Sequence, residues 1–250
     1  PIVENLPDIK VIDFVKCLCA LTGTFPIQNS ESNVIEFAEY DDVMNNVESA
    51  VDWSKRLVPA SSANVPSKVS YKVEGWARHN YYRWKEDEKT HGKFDGDLMI
   101  DDEMLDDERD VIVFPFAASD RYRVGIMMIP LYERKTVIDD GGAERTEYDY
   151  GKTEPRILQS YGSSGTYTQT KFDMNMQNII MEKYGLLASC LSHAKVVEES
   201  VMLTDYELSR FDERVPVWLA QYGSYFAVLE IKSGGDGVCK VKMIKINMED

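Results

Sequence analysis

The sequence has 250 residues, and 43 acidic side chains against 28 lysines and arginines give it a formal net charge of −15. This charge argues against a duplex-DNA groove binder and against attachment to an anionic membrane, because both need clustered Lys and Arg. The hydrophobic content of 44% is that of a globular chain, and the chain is long enough to bury a core.

No signal peptide is visible, and no apolar stretch approaches the roughly 20 residues that a membrane-spanning helix needs. The sequence begins with Pro1 instead of Met, which is compatible with a piece of a longer protein. We therefore expect no nucleic-acid partner and no membrane partner.

The first forty residues predict a helix packed on a hairpin. The helix is expected over residues 8–23, with Asp8 as its N-cap and Gly23 as the left-handed residue that ends it. Strands are expected at 24–27 and 34–40. The side chains at helical spacing predict a buried stripe of Val11, Ile12, Val15, Leu18 and Cys19.

A loop of small residues over 59–66 is the expected boundary between two parts of the chain. We predict a helix-plus-hairpin α/β unit at residues 1–58 and a β-rich, barrel-like region at 59–250. One or two helices are expected within 173–191, followed by closing barrel strands within 195–247.

Strands dominate the second part. Residues 68–74 alternate between apolar and polar side chains, and 80–84 continue with aromatic ones. Residues 111–116 and 124–131 are apolar on both faces, which predicts buried central strands. The acidic residues 86–110 are expected to form a connector.

The end of the chain predicts a β unit with tight turns. Thr204 and Glu207 have the spacing of a capping box, which predicts one helical turn. The strands are expected at 195–203, 215–219, 225–231 and 238–246. The predicted fold class is α+β, mainly antiparallel β, with barrel-like β domains and a small helix-plus-hairpin unit.

Residues with metal-binding chemistry do not have metal-ligand spacing. They are Cys17, Cys19, Cys190, Cys239, His79, His91 and His193. No CxxC pair occurs, so we expect the cysteines to be small buried apolar residues in a reducing compartment. The acidic runs 101–103 and 106–108, like Asp95–Gly96–Asp97, lack EF-hand order. A solvated loop is favoured over a calcium site, and no metal or other cofactor is predicted.

Nucleophile and phosphate motifs are also missing. Residues 161–165 have the wrong spacing for a nucleophile elbow, and 234–237 predict a hairpin turn instead of a phosphate loop. Cys190 and His193 lie three residues apart, but a core cysteine beside a boundary histidine is the favoured interpretation. We predict no catalytic, cofactor-binding or metal-binding residue and no enzyme activity.

An aromatic cluster leaves one alternative open. Its members are Trp76, His79, Tyr81, Tyr82 and Trp84. Exposed rings of this kind stack on sugars, and 43 acids supply many carboxylates for sugar hydrolysis. A strand that fills a core with one face and an interface with the other is favoured, and the alternative is a carbohydrate-active enzyme or carbohydrate-binding module.

Three stretches resemble the tail proteins of phages and prophages of Bacteroides-type hosts. The first is Asn5–Ile9 followed by Val11–Phe14 and, later, Asp52–Leu57; the second is Glu154–Leu158. The third is the C-terminal unit over 203–246. The resemblance covers most of the chain in patches, and its motifs are structural.

The resemblance implies a structural subunit similar to a baseplate hub, acting through protein–protein assembly. It implies a ring, with a trimer as one stoichiometry, and other tail proteins as partners. The expected location is the virion tail, and the bacterial cytoplasm during assembly. Hub proteins usually begin with a further barrel, which is not evident in this sequence, and the family pattern provides no active site to carry over.

Overall fold

The structure is a computed structural model. It describes residues 8–29, 34–59, 67–86, 91–118, 122–123, 126–127, 132–139, 141–150, 154–156, 160–164, 167–170, 174–234 and 237–247. The helices in these ranges are α1 (Val11–Thr22), α2 (Tyr40–Asn45), α3 (Met176–Lys183), α4 (Gly185–Ser192) and α5 (Asp205–Ser209), and a 3-10 turn covers Asn46–Ser49. No helix in the described ranges is long and apolar enough to cross a membrane.

The strands of the first half are β1 (Thr24–Asn29), β2 (Val34–Glu39), β3 (Val51–Asp52), β4 (Lys68–Ser70), β5 (Ala77–Arg83), β6 (Gly96–Met99), β7 (Asp106–Val113), β8 (Tyr122–Arg123) and β9 (Ile126–Met127). The strands of the second half are β10 (Tyr132–Ile138), β11 (Glu144–Tyr150), β12 (Ser160–Ser164), β13 (Tyr167–Thr170), β14 (Val196–Met202), β15 (Val217–Leu219), β16 (Ser224–Ser233) and β17 (Val238–Lys245). All described pairings between two strands are antiparallel except β3 with β15 and β5 with β7, so the predicted α+β class is confirmed.

Helix α1 ends as predicted but begins later. Gly23 adopts the left-handed conformation with φ of 66°, and its N–H donates to the Cys19 carbonyl. The prediction of Asp8 as N-cap is wrong, because Lys10 holds that position without a side-chain cap. A methyl group on Gly23 would come 2.7 Å from Cβ of Lys183, so close packing also favours glycine here.

The predicted buried stripe of α1 is wrong in its direction. Cys17 and Leu21 face the core, whereas Val11 is 78% exposed and Ile12 is 57% exposed. Leu18 is exposed as well. Because α1 carries apolar side chains on more than one face, periodicity alone did not show which face is covered.

A six-stranded sheet forms the centre of the fold. Its order is β3-β15-β16-β17-β14-β4, so the strands predicted within 195–247 are confirmed. The capping box before α5 is also confirmed: the Glu207 N–H donates to the Thr204 hydroxyl, and the Thr204 N–H donates to the Glu207 carboxylate.

One continuous segment, residues 51–58, forms hydrogen bonds next to two different strands of this sheet, β15 and β14. The Val51 N–H donates to the Pro216 carbonyl beside β15, at 3.0 Å. The Val58 N–H donates to the Ser200 carbonyl of β14, at 2.9 Å. One short segment therefore hydrogen-bonds beside β15 and to β14, two strands that β16 and β17 separate in the sheet order.

The two faces of the sheet belong to two hydrophobic clusters. Val196, Ala227 and Ile244 join a large cluster that also contains residues of α1, α3, α4 and the β6-β5-β7 sheet. The opposite face forms a smaller cluster of Trp53, Val197, Val201, Leu203, Val217, Leu219, Phe226, Cys239, Val241 and Met243. The predicted division into residues 1–58 and 59–250 stays a prediction, although β3 from the first part is paired in the sheet of the second.

The acidic connector predicted over 86–110 is wrong in part, because it contains β6 and the start of β7. The buried central strand predicted at 111–116 is wrong too. Val113 ends β7 and is 57% exposed, while Phe114 and Phe116 are buried just after the strand. Strand β7 is an edge strand of the β6-β5-β7 sheet, and all of its side chains except that of Ile112 are exposed.

Two further strand predictions differ from the structure. The strand predicted at 68–74 is limited to β4, and its apolar side chains Val69 and Tyr71 are exposed. Within 124–131 the structure describes only β9, so the predicted burial of this stretch lies outside the described side chains.

Candidate functional site

The aromatic cluster divides between the core and the outer face of β5. Tyr82 and Trp84 are buried, and Trp76 packs against the large cluster. Burial raises the pKa of Tyr82 above its ordinary value, as expected for a hydroxyl in an apolar surrounding. His79 and Tyr81 lie on the opposite, partly exposed face.

On that outer face, His79 and Asp97 form an imidazole–carboxylate pair. His79 Nδ1 lies 2.6 Å from Asp97 Oδ2, and Asp97 Oδ1 accepts a hydrogen bond from the Asn80 N–H at 3.1 Å. Such a pair orients an imidazole for general base catalysis. No described serine, threonine or cysteine hydroxyl or thiol is hydrogen-bonded to His79, so the pair has no nucleophile to activate among the described residues.

Tyr81 lies between His79 and Arg83 along the strand. The Arg83 guanidinium lies 4.4 Å from the centre of the Tyr81 ring, and the His79 ring stacks at 6.2 Å with an interplanar angle of 16°. The Arg83 guanidinium also forms an ion pair with the Asp110 carboxylate. The Arg83 guanidinium therefore already covers one face of the ring on which a sugar would stack.

The cysteines predicted to be apolar core residues are free thiols, and Cys17, Cys190 and Cys239 are buried. Burial raises the pKa of Cys17 to about 11 and also raises the pKa of Cys190. A thiol with a raised pKa is a poor nucleophile. No described hydrogen bond joins Cys190 to His193, since the Cys190 thiol lies against Met44 Sδ at 3.4 Å.

The acidic runs at 101–103 and 106–108 are mostly exposed. The first lies in the loop before β7 and the second lies on β7 itself. Among the described residues, no three His, Cys, Asp or Glu side chains converge into a group that could hold a metal ion.

A buried polar group was missed by sequence reasoning. Glu199 of β14 is 6% exposed and accepts hydrogen bonds from the hydroxyls of Tyr222 and Ser67, the latter at 2.6 Å. Burial, followed by the hydrogen bond to Glu199, raises the pKa of Tyr222. The partners lie far from Glu199 in the chain, so no local pattern signals the group.

A cavity of about 270 Å³ lies between the segment after β3 and α5. Trp53 and Phe211 form its apolar part, with ring centres 5.6 Å apart. Its rim holds an ion pair of Arg56 with Glu207, at 2.5 Å. The charges on this rim are already paired, so the cavity presents an apolar floor and a neutralised rim.

The helix-plus-hairpin unit exposes apolar side chains of α1 that the sequence predicts to be buried. We call the side chains of Val11, Ile12 and Leu18 the α1 stripe. Strand β2 adds Val34, Ile35 and Phe37, which are also exposed. Exposed apolar side chains mark protein-binding surfaces where they form a contiguous patch.

No known family model matches this chain.

Proposed function

We propose that the chain is a structural subunit of a phage or prophage tail, similar to a baseplate hub, that works by binding other protein chains. The observation that supports binding to other protein chains is the exposed α1 stripe. Burying an apolar side chain of this size contributes about 1.5–3 kcal/mol, so a partner that covers the stripe gains substantial binding free energy. The phage-tail part rests on the sequence resemblance.

The proposed partners are other tail proteins and further copies of the chain in a ring, with a trimer as the expected stoichiometry. The location that goes with this function is the virion tail, after assembly in the bacterial cytoplasm. The chain is proposed not to be an enzyme, and no nucleic-acid or membrane partner is part of the proposal.

The carbohydrate alternative has less support from the geometry. Two of the aromatic rings on which it depends, Tyr82 and Trp84, are buried. The half-exposed ring of Tyr81 is flanked by His79 and Arg83. A glycan array and a panel of glycoside substrates test this alternative directly, and turnover that disappears when one carboxylate is changed would replace the proposal.

The main experiment compares binding by two double variants. One changes the α1 stripe, Ile12→Gln with Leu18→Gln; the control changes two exposed apolar residues elsewhere, Ile138→Gln with Met181→Gln. Each is co-expressed with the proteins encoded by the neighbouring genes, and binding is measured by sedimentation velocity. We expect the stripe variant to lose at least about tenfold in affinity, equivalent to about 1.4 kcal/mol.

The control variant is expected to bind like the wild type, and both variants are expected to keep the wild-type circular dichroism spectrum. Unchanged binding by the stripe variant would refute the stripe as the contact surface. Neighbouring genes that encode no tail-tube or tape-measure protein would refute the phage-tail assignment while leaving the binding role in place.

A further inference from the structure

The hairpin of β10 and β11 is a two-stranded sheet of its own, which we call the arm. Its strands pair antiparallel from Tyr132 opposite Tyr150 to Ile138 opposite Glu144. Within 134–139 and 141–147 every residue is exposed except Val137, which is partly buried. An isolated two-stranded hairpin is only marginally stable in water, so the arm would be stabilised by additional strands.

The outer edge of β11 has backbone groups that point away from β10. The Asp139 N–H donates to the Ala143 carbonyl at 3.0 Å and closes the turn of the arm. Hydrogen-bonded and non-bonded pairs alternate along an antiparallel ladder, which leaves the N–H and C=O groups of Glu144 and Thr146 pointing outward. No described strand pairs with this side of β11. The edge can therefore accept another strand.

The sequence of β11 is self-complementary about Thr146. In a two-fold antiparallel pairing centred on this residue, Thr146 faces its own copy, and on both sides of the axis Arg145 faces Glu147 of the second copy. Centring the pairing on Arg145 would set arginine against arginine. Centring it on Glu144 or Glu147 would set glutamate against glutamate, and like charges directly opposite are destabilising. Charge therefore selects one register among those centred on residues 144–147.

Cross-strand pairs within the arm extend this complementarity. Lys135 lies opposite Glu147, so in the paired arms Glu147 would lie between Lys135 of its own chain and Arg145 of the second copy. Thr136 lies opposite Thr146, so a row of threonines would cross the other face of the joined sheet. The ion pair of Arg145 with Glu147 within one strand is retained, because a guanidinium has further N–H groups to donate.

The contact region of the arm has no excess of acid. Residues 134–138 and 144–147 contain the three cations Arg134, Lys135 and Arg145 and the two acids Glu144 and Glu147, which gives +1. The whole chain carries −15. Two copies can therefore approach through their arms with less electrostatic repulsion than the average surface would produce.

We infer that β11 of one copy pairs antiparallel with β11 of a second copy, which joins two arms into a four-stranded sheet. The contact is isologous, because the same strand is used on both sides, and it stops at a dimer. A two-fold contact does not by itself form the proposed ring. The inference therefore goes beyond the proposed function and does not depend on it. The opposing view is that the charges on the edge of β11 prevent pairing.

Disulfide trapping separates these views. Facing residues of a hydrogen-bonded antiparallel pair have Cα atoms roughly 5.5 Å apart, which suits a disulfide. Thr146→Cys is introduced on a Cys19→Ser background, because the other three cysteines are buried. After mild oxidation at high protein concentration, we expect covalent dimers and nothing larger on a non-reducing gel.

The matched control for trapping is Thr136→Cys on the same background. Thr136 is also exposed and lies on β10, away from the predicted axis, so this variant is expected to stay monomeric. Absence of dimers from Thr146→Cys, or equal amounts of dimer from both variants, would overturn the inference.

A charge exchange between copies gives a second readout, measured as the dimer dissociation constant by sedimentation velocity. Arg145→Glu alone and Glu147→Arg alone each set like charges opposite one another, and each is expected to weaken the dimer at least about fivefold. An equal mixture of the two variants should restore the affinity, because every glutamate then faces an arginine of the other copy. Lys16→Glu on α1, at an exposed position, is the charge control and should dimerise like the wild type. A mixture as weak as the separate variants would refute the register.

The stripe variant Ile12→Gln with Leu18→Gln is expected to dimerise like the wild type, because its changes lie on α1 and not on the arm. Unchanged partner binding by that variant would refute the stripe as a contact surface and leave the arm contact standing. A monomeric Thr146→Cys variant would refute the arm contact and leave the proposed function standing. The two failures are therefore distinguishable.

Discussion

Arg56 and Glu207 form an ion pair of 2.5 Å that joins the segment after β3 to helix α5. Glu207 also accepts hydrogen bonds from the backbone N–H and the hydroxyl of Thr204. The backbone hydrogen bond from Thr204, then the side-chain hydrogen bond from Arg56, lowers the pKa of Glu207 to about 2. The Glu207 carboxylate therefore caps the start of α5 and also joins α5 to the segment after β3.

This geometry predicts a pH-dependent contribution to stability. A glutamate in an unfolded chain has a pKa of about 4.3, so the folded state holds Glu207 ionised more strongly. Its contribution is complete above that value and is lost as the pH falls from about 4.3 to about 2. We expect Glu207→Gln to be less stable than wild type in urea at pH 7, and the difference to disappear near pH 2.

The control for this prediction is Glu103→Gln, at an exposed loop position. Its stability should follow the wild type over the whole pH range. A Glu207→Gln variant whose deficit stays constant with pH would contradict the role assigned to the ionised carboxylate.

Removing one hydroxyl from the buried Glu199 group is predicted to destabilise the fold. Tyr222→Phe leaves Glu199 with the Ser67 hydroxyl and deprives a buried carboxylate of one donor. The expected loss in the free energy of unfolding is about 1–3 kcal/mol, measured by urea denaturation. Tyr71→Phe, which removes an exposed hydroxyl, should change stability by less than about 0.5 kcal/mol. Equal effects of the two changes would argue against the burial of this group.

Two substitutions at the end of β7 test the finding that the strand predicted at 111–116 is not buried on both faces. Phe114 is buried and its ring centre lies 4.8 Å from that of Trp84, whereas Val113 is exposed. Phe114→Ala is expected to cost about 3–5 kcal/mol of unfolding free energy. Val113→Ala, one residue earlier, is expected to cost less than about 0.5 kcal/mol. If the strand were central and buried on both faces, both changes would be severe.

Two glycines make a matched pair for close packing. A methyl group on Gly96 would come 2.8 Å from the Met176 carbonyl carbon and 2.9 Å from the Gln177 nitrogen, so β6 and α3 would have to separate. Gly96→Ala is expected to cost about 1–3 kcal/mol, by urea denaturation. Gly185→Ala has no neighbour within 4 Å and should be neutral or stabilising by up to about 1 kcal/mol. A neutral Gly96→Ala would show that β6 does not pack against α3 as described.

Local signals in the sequence predicted much of the fold. The capping box of Thr204 with Glu207 and the left-handed Gly23 depend on neighbours within a few residues, and both are confirmed. The sequence also predicts the C-terminal strands, because each has apolar periodicity and β15, β16 and β17 border glycine-containing turns.

Features set by distant partners could not be predicted in this way. Strand β6 was assigned to a connector, because its burial depends on α3, which lies far along the chain. The sequence predicts burial for residues 111–116, because nothing in this apolar run shows that the side chains of β7 remain in solvent. The buried stripe predicted on α1 is wrong, because Cys17 and Leu21 face the core instead, and the sequence alone does not decide between two apolar faces of a helix.

The segment 51–58 has a consequence for the order of events during synthesis. Val51 and Val58 bond to Pro216 and Ser200, which are synthesised much later than the segment itself. Contacts that join distant parts of a chain slow folding, because the closing of a long loop precedes any gain from the contact. The segment 51–58 therefore remains without these partners until residues 200–216 have been synthesised. A nascent chain of this kind needs protection from aggregation until the strands that complete the sheet emerge.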